Sequence, residues 1–134
     1  MQSSTASLFA SSAEPRRFSV AARLKSVGYA LRGVRAVVAS QHNAWIHAAA
    51  TVAAIALGLA LGVGRHEWLA LVFAIVSVWA AEALNTAFEL LCDVASPSFH
   101  PLVARAKDIA AGAVLICAVG AVAIAGLVFV PHFY

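Results

Sequence analysis

The fold of this chain is decided by residues 44–63, which read AWIHAAATVAAIALGLALGV. These 20 residues include no Asp, Glu, Lys or Arg. As an α-helix they would be about 30 Å long, which is enough to cross the hydrocarbon core of a bilayer. Two further apolar segments follow at residues 68–92 and 109–130. The sequence therefore predicts an all-α membrane protein with three transmembrane helices.

The composition of the whole chain agrees with this prediction. Of its 134 residues, 63% are hydrophobic and only 11% are charged, whereas roughly a quarter are charged in soluble domains. This composition excludes a disordered chain and a nucleic-acid-binding arm, so we expect no nucleic acid among the partners. Cys92 and Cys117 lie in the apolar segments and are interpreted as small hydrophobic residues.

Two regions precede the first apolar segment. Residues 1–19 are rich in Ser and Ala, and we expect a flexible tail. Residues 20–40 carry an apolar side chain at every third or fourth position, with basic side chains on the other faces. This pattern predicts an amphipathic helix in the plane of the membrane surface. We expect residues 20–134 to form a single domain.

The positions of Lys and Arg predict the orientation in the membrane. Eight of the nine cations precede the first apolar segment or lie between the second and third, and the turn between the first two contains only Arg65. The positive-inside rule then places the N-terminus and the 93–107 loop in the cytoplasm, with Tyr134 outside. Pro97 and Pro101 disfavour a continuous helix through that loop.

Four polar residues share one helical face in the second apolar segment. Glu82, Asn85, Glu89 and Asp93 are spaced by 3, 4 and 4 residues. An acid within a span is costly and is normally functional or paired. One interpretation is a contact between helices, in which the acids pair with Lys or Arg. The other is a site for metal-bound phosphate, favoured because the apolar segments offer no cation opposite Glu82.

Residues 82–93, EALNTAFELLCD, resemble the signature E-x-x-N-[ST]-[AS]-x-E-x-x-x-D of the small prokaryotic diacylglycerol kinase and undecaprenol kinase family. Residues 99–101 and 104–110 resemble the cytoplasmic loop and last-span entry of this family, and residues 28–36 resemble its surface helix. The resemblance implies a homotrimeric bundle in the cell membrane. It also implies phosphorylation of undecaprenol or diacylglycerol with Mg²⁺ and ATP. No G-x-x-x-x-G-K-[ST] loop is present, so ATP is implied by the resemblance alone.

The resemblance further implies roles for individual residues. Glu82 matches the general base that takes a proton from the lipid hydroxyl, and Asn85 would orient that hydroxyl or Glu82 itself. Glu89 matches the acid that holds Mg²⁺ on the ATP phosphates. Lys107 would neutralise phosphate charge, with Asp108 beside it in the nucleotide site.

Other positions are implied to contact the two substrates. Those that match ATP contacts are Tyr29, Gln41, Ser98, Phe99 and His100. Those that would line the lipid site with Glu82 are Arg35, Asn43 and Ala111, while Asp93 would support the site.

Residues 41–47 depart from the pattern of several family members, which have an acid in place of Gln41 to share the metal. A neutral amide oxygen is a weaker ligand for Mg²⁺. The stretch is similar to the undecaprenol kinase branch, [EQ]-x-N-x-x-I-H, and so favours a polyprenol acceptor. His42 and His47 lie about 140° apart around a helix and are interpreted as polar residues near its start rather than as a metal pair. The alternative function is a non-catalytic oligomeric membrane protein derived from this family.

Overall fold

The computed structural model describes residues 19–40 and 42–134. Within these ranges the chain forms α1 (Val20–Ser40), α2 (His42–Leu61), α3 (Arg65–Ala95) and α4 (Pro101–Phe129), followed by a 3-10 turn at Val130–Phe133. The described part of the chain contains no strand. Residues 1–18 of the expected tail and Gln41 lie outside the described residues.

Three of these elements have the character of membrane spans. Helix α2, helix α3 and the segment Pro101–Phe133 are long and apolar enough to cross a membrane, as judged by length and composition. Large apolar side chains cover their outward faces, and Val52, Phe73 and Ile116 are each at least 67% exposed. A soluble protein rarely exposes so much contiguous apolar surface. The prediction of an all-α membrane fold is confirmed.

The chain divides into two compact units, residues 1–31 and residues 32–134. The described part of the first unit is the beginning of α1, where Leu24, Val27 and Leu31 lie on one face and are each more than half exposed. An exposed apolar face on a basic helix is typical of a helix that lies in a membrane surface.

In the second unit, a tight turn joins α2 to α3. Gly62 has a φ of +65°, a conformation that favours glycine, and the Val63 N–H donates to the Gly58 carbonyl at 3.1 Å. The Glu67 carboxylate accepts a 2.6 Å hydrogen bond from the Gly64 N–H and caps the start of α3. The turn is therefore shorter than the sequence suggests, because Arg65 already belongs to α3.

A buried apolar cluster lies at this same end of the helices. Val63, Leu71, Val128 and Phe129 form a buried cluster, against which Trp68 also packs. The 3-10 turn adds a polar contact, since His132 Nε2 lies 3.7 Å from Glu67 Oε2. These contacts hold together the ends of all three apolar helices.

The connection at the opposite end, between α3 and α4, has only five non-helical residues, 96–100. The 93–107 loop expected from the sequence is therefore mostly helical. Pro101 occupies the first turn of α4, where its missing N–H costs nothing, and His100 Nδ1 accepts a hydrogen bond from the Leu102 N–H at 3.2 Å. The prolines end one helix and begin the next, so Asp93 and Lys107 both lie on helices.

The contact between Gly58 and Trp68 gives a testable prediction. A Cβ atom added to Gly58 would lie 2.9 Å from the Trp68 ring, whereas one added to Gly120 of α4 meets nothing within 4 Å. We expect Gly58→Ala to lower the free energy of unfolding by about 1–3 kcal/mol, because the indole must move. Gly120→Ala is the matched control. Equal unfolding temperatures for the two variants in detergent would contradict the packing described here.

Candidate active site

Glu82 lies at the centre of a polar cluster between α2, α3 and α4. Its side chain is only 1% exposed. Within the described residues, neither of its carboxylate oxygens has a hydrogen-bond partner. Burying a carboxylate in apolar surroundings without a partner is costly, and an ionisable residue at such a place marks a functional site.

The neighbours of Glu82 on α3 are also polar and buried. Thr86 donates its hydroxyl to the Glu82 backbone carbonyl at 2.9 Å, so this hydroxyl is used within the helix. Asn85 Nδ2 donates to Glu89 Oε1 at 3.1 Å. The Asn85 Oδ1 atom is buried and accepts no hydrogen bond from any described residue. Two acids and one amide oxygen are thus held on one face of the helix.

Helix α2 places His47 opposite Glu82. The His47 Nε2 atom lies 3.6 Å from Glu82 Oε2, and the two side chains are 13% and 1% exposed. The sequence interpretation of His47 as a polar residue near a helix start missed this contact. The sequence nevertheless contains a signal for this contact. A buried Glu82 needs a polar partner on a neighbouring helix, and α2 has few polar residues within its apolar part.

A second polar contact joins α2 to α3 about one turn closer to the connection at residues 62–64. Trp79 Nε1 donates to Thr51 Oγ1 at 3.1 Å, and that hydroxyl donates to the His47 carbonyl at 2.7 Å. The Trp79 ring also meets the His47 ring edge to face, with centroids 6.5 Å apart. This contact sets the register that brings His47 opposite Glu82.

A cavity of about 270 Å³ opens beside Glu82. Of the residues predicted for the site, five line it: Asn43, Glu82, Asn85, Glu89 and Ala111. The other lining residues are His47 and the apolar side chains of Ile46, Val114, Leu115 and Ala118. A second cavity of about 270 Å³ shares Ile46, His47 and Ala118 with the first and continues along the three helices between apolar side chains.

The remaining predicted site residues of α3 and α4 lie nearer the 96–100 loop. Asp93 is 65% exposed and leaves the buried face of α3, forming an ion pair with Lys107 of α4. Asp108 is exposed beside Lys107. Ser98, Phe99 and His100 belong to the loop itself, and none of the residues named here lines the polar cavity.

The predicted residues of α1 are both exposed. Tyr29 belongs to the first unit of the chain and Arg35 to the second. Gln41, predicted to contact both metal and ATP, lies outside the described residues.

Three apolar helices around a buried acid and a cavity define an integral membrane protein with a polar site between its spans. The sequence model of the prokaryotic diacylglycerol kinase family matches residues 28–129 of this chain. The chain belongs to the prokaryotic diacylglycerol kinase family and is a lipid kinase. This membership favours the enzyme over the non-catalytic alternative.

Individual relatives agree with the family match. An undecaprenol kinase of Bacillus subtilis (strain 168) is 36% identical over 107 residues, covering 80% of this chain and 87% of that protein. A diacylglycerol kinase of Escherichia coli (strain K12) is 31% identical over 117 residues, covering 82% of this chain and 90% of that protein. A diacylglycerol kinase of Synechocystis sp. is 38% identical over 109 residues, covering 81% of this chain and 62% of that protein.

The Thr51–Trp79 contact can be tested by removing one hydroxyl. Thr51→Val leaves the Trp79 N–H without its acceptor, and we expect a loss of about 1 kcal/mol in the free energy of unfolding. Thr51→Ser keeps the hydroxyl and is the matched control. The prediction fails if thermal unfolding in detergent gives the same midpoint for the Val variant as for the Ser variant.

Proposed function

We propose that this chain transfers the γ-phosphoryl group of ATP to the hydroxyl of a membrane lipid alcohol, undecaprenol or diacylglycerol, at the cytoplasmic membrane face. The observation that carries the proposal is the buried Glu82 carboxylate, which lines the polar cavity and faces His47, a residue that lines both this cavity and the apolar one. A lipid hydroxyl can approach from the apolar side and a phosphate from the polar side. The products are the lipid phosphate and ADP.

Glu82 is the general base of this reaction. As the lipid oxygen forms its bond to the γ-phosphorus, the bond from that phosphorus to the β,γ-bridging oxygen breaks, and the hydroxyl proton passes to the Glu82 carboxylate. Both oxygens of Glu82 lack a hydrogen-bond partner among the described residues, so one can accept this proton. Asn85, one turn away, uses one Nδ2–H on Glu89, and its second Nδ2–H can donate to the oxygen of the lipid hydroxyl and orient it.

Glu89 is the residue that would hold Mg²⁺ together with the ATP phosphates. It lies seven residues beyond Glu82 on α3, about 10 Å along the helix. The donors on this face of α3 are the Glu89 carboxylate and the Asn85 amide oxygen. Mg²⁺ prefers oxygen ligands of this kind. The described residues contain no group of three or more His, Cys, Asp or Glu that could hold a metal. This fits an ion that is bound through one or two carboxylates and substrate phosphates rather than by a protein cage. When bound, Mg²⁺ neutralises phosphate charge.

The nucleotide site extends from Glu89 toward the loop between α3 and α4. Lys107 offers its ammonium group to the phosphates, and Asp93 holds that group at the end of α3. We assign the remaining ATP contacts within the second unit to Asp108 and the 98–100 loop, following the family resemblance.

The lipid chain occupies the apolar cavity. Small side chains line much of this cavity, including Ala50, Ala54, Ala121 and Ala125. The two cavities together run beside α3 from Glu89 to Leu71, a distance of about 27 Å. Asn43 and Ala111 line the polar part and would contact the headgroup end of the lipid, and Arg35 is assigned to the same lipid site.

The orientation and assembly are part of the same proposal. Lys107 and Arg105 lie on the first turns of α4, at the end that carries the polar cavity, whereas Arg65 begins α3 at the other end. The positive-inside rule therefore supports a cytoplasmic active site with the N-terminus inside. The exposed outward faces of α2, α3 and α4 support burial against lipid or further copies of the chain, and we assign a homotrimer following the family resemblance.

The decisive experiment measures transfer from radiolabelled ATP with Mg²⁺ to undecaprenol and to diacylglycerol, each in mixed micelles. We expect transfer to at least one lipid, and a loss of about 100-fold or more in Glu82→Gln, because the proton acceptor is removed. Glu67→Gln is the matched control: it changes an acid at the opposite end of α3 and keeps an oxygen for the Gly64 N–H. An assembled wild-type protein that phosphorylates neither lipid would contradict the proposal.

The role of Glu89 predicts a change in metal requirement. Glu89→Gln should raise the Mg²⁺ concentration for half-maximal turnover roughly tenfold or more, since a neutral amide is a weaker ligand. The measurement is a Mg²⁺ titration of the transfer rate at fixed ATP, with Glu67→Gln again as the control. An unchanged titration curve for Glu89→Gln would remove Glu89 from the metal site.

A further inference from the structure

His47 has no role in the reaction as assigned so far, yet it faces the general base. Its Nε2 atom and both Glu82 oxygens are buried and lack a hydrogen-bond partner within the described residues. The 3.6 Å between Nε2 and Oε2 is longer than a hydrogen bond, so the two atoms must approach by about 0.5 Å for one to form. Hydrogen bonds between catalytic groups often reach full strength only when substrate is bound.

The surroundings of His47 fix where its ring can point. The Thr51 hydroxyl holds the His47 carbonyl and accepts from Trp79, which ties this turn of α2 to α3. The Trp79 ring stands against the imidazole at an interplanar angle of 69°. Trp79 lies three residues before Glu82, on the same side of α3. One face of α3 therefore carries both Glu82 and the Trp79 ring, which packs against the His47 imidazole and directs it toward Glu82.

We propose that His47 is a positioning residue for Glu82: its Nε2–H donates to Glu82 Oε2 and leaves Oε1 to receive the proton of the lipid hydroxyl. This inference rests on the proposed function of Glu82 as the base. A carboxylate that accepts no hydrogen bond can rotate about its terminal torsion, whereas one held at a single oxygen presents the other in a fixed direction. His47 also lines both cavities, so it acts where the lipid hydroxyl must lie.

The test compares His47→Leu with His47→Gln. Leu fills the space but donates no hydrogen bond, whereas Gln carries an N–H₂ group at a similar reach. We expect kcat to fall roughly 10- to 100-fold in His47→Leu, the scale for losing a group that orients a functional one. The KM for ATP should stay unchanged, and His47→Gln should recover most of kcat. His66→Leu, an exposed histidine at the other end of the bundle, is the matched control.

A double variant separates positioning from structural support. If His47 acts through Glu82, adding His47→Leu to Glu82→Gln should cost little beyond the loss from Glu82→Gln alone. The oligomeric state by light scattering and the unfolding temperature should match those of the wild type. Multiplied losses in the double variant would show that His47 acts independently of Glu82 and would overturn the proposal.

Two other outcomes would also overturn it: a His47→Leu kcat close to the wild-type value, or a His47→Gln kcat as low as that of His47→Leu in an assembled protein. If His47→Leu does not assemble, the Gln variant alone decides, because only a donor role predicts its activity. Wild-type protein that transfers no phosphate would instead refute the proposed function, so the two failures are distinguishable.

Discussion

A carboxylate enclosed by apolar helices costs free energy unless the surrounding helices bring polar groups to meet it. Around Glu82 these groups are few and specific. Helix α2 brings His47 to 3.6 Å, and α3 itself brings Asn85 within one turn. The acid is retained without full compensation, which is the condition of a reacting group rather than of one that only joins helices. The Thr51–Trp79 hydrogen bond supplies the register of α2 against α3 that brings His47 to this position.

The two ends of the bundle differ in the kind of contact that joins the helices: apolar packing at one end and an exposed ion pair at the other. At the α2–α3 turn, Gly58 lets Trp68 pack closely, and Phe129 closes the buried cluster. At the other end, a five-residue loop and the Asp93–Lys107 ion pair join α3 to α4. An exposed ion pair contributes little to stability. The packed end holds the helices together, while the exposed groups at the other end are those that the proposed function assigns to the nucleotide.

Much of this arrangement could be predicted from the sequence, and the exceptions share a physical cause. Helical spacing alone placed Glu82, Asn85 and Glu89 on one face, because such spacing depends on a single helix. His47 was missed because its partner depends on the register between α2 and α3, which Thr51 and Trp79 set through a contact that no local pattern encodes.

The loop and Asp93 illustrate the same limit. The prolines near residue 100 predicted an interruption, and there is one, but Pro101 begins α4 instead of extending the loop. Asp93 keeps the spacing of the acidic face and yet is exposed, because it lies two residues before the end of α3, where it pairs with Lys107 of α4. In both cases the adjoining helix decides the outcome.

Many of the alanines of the three apolar helices line the apolar cavity. Ala50 and Ala54 of α2, Ala74 of α3 and Ala121 and Ala125 of α4 line the apolar cavity. Larger side chains at these positions would fill the space between the helices and bury more area, as in a soluble core. Small ones leave a cavity that reaches His47, which faces Glu82, from the apolar side. In the proposed function, such a cavity lets the lipid acceptor approach the carboxylate from the apolar side while the water-soluble donor approaches it from the polar side.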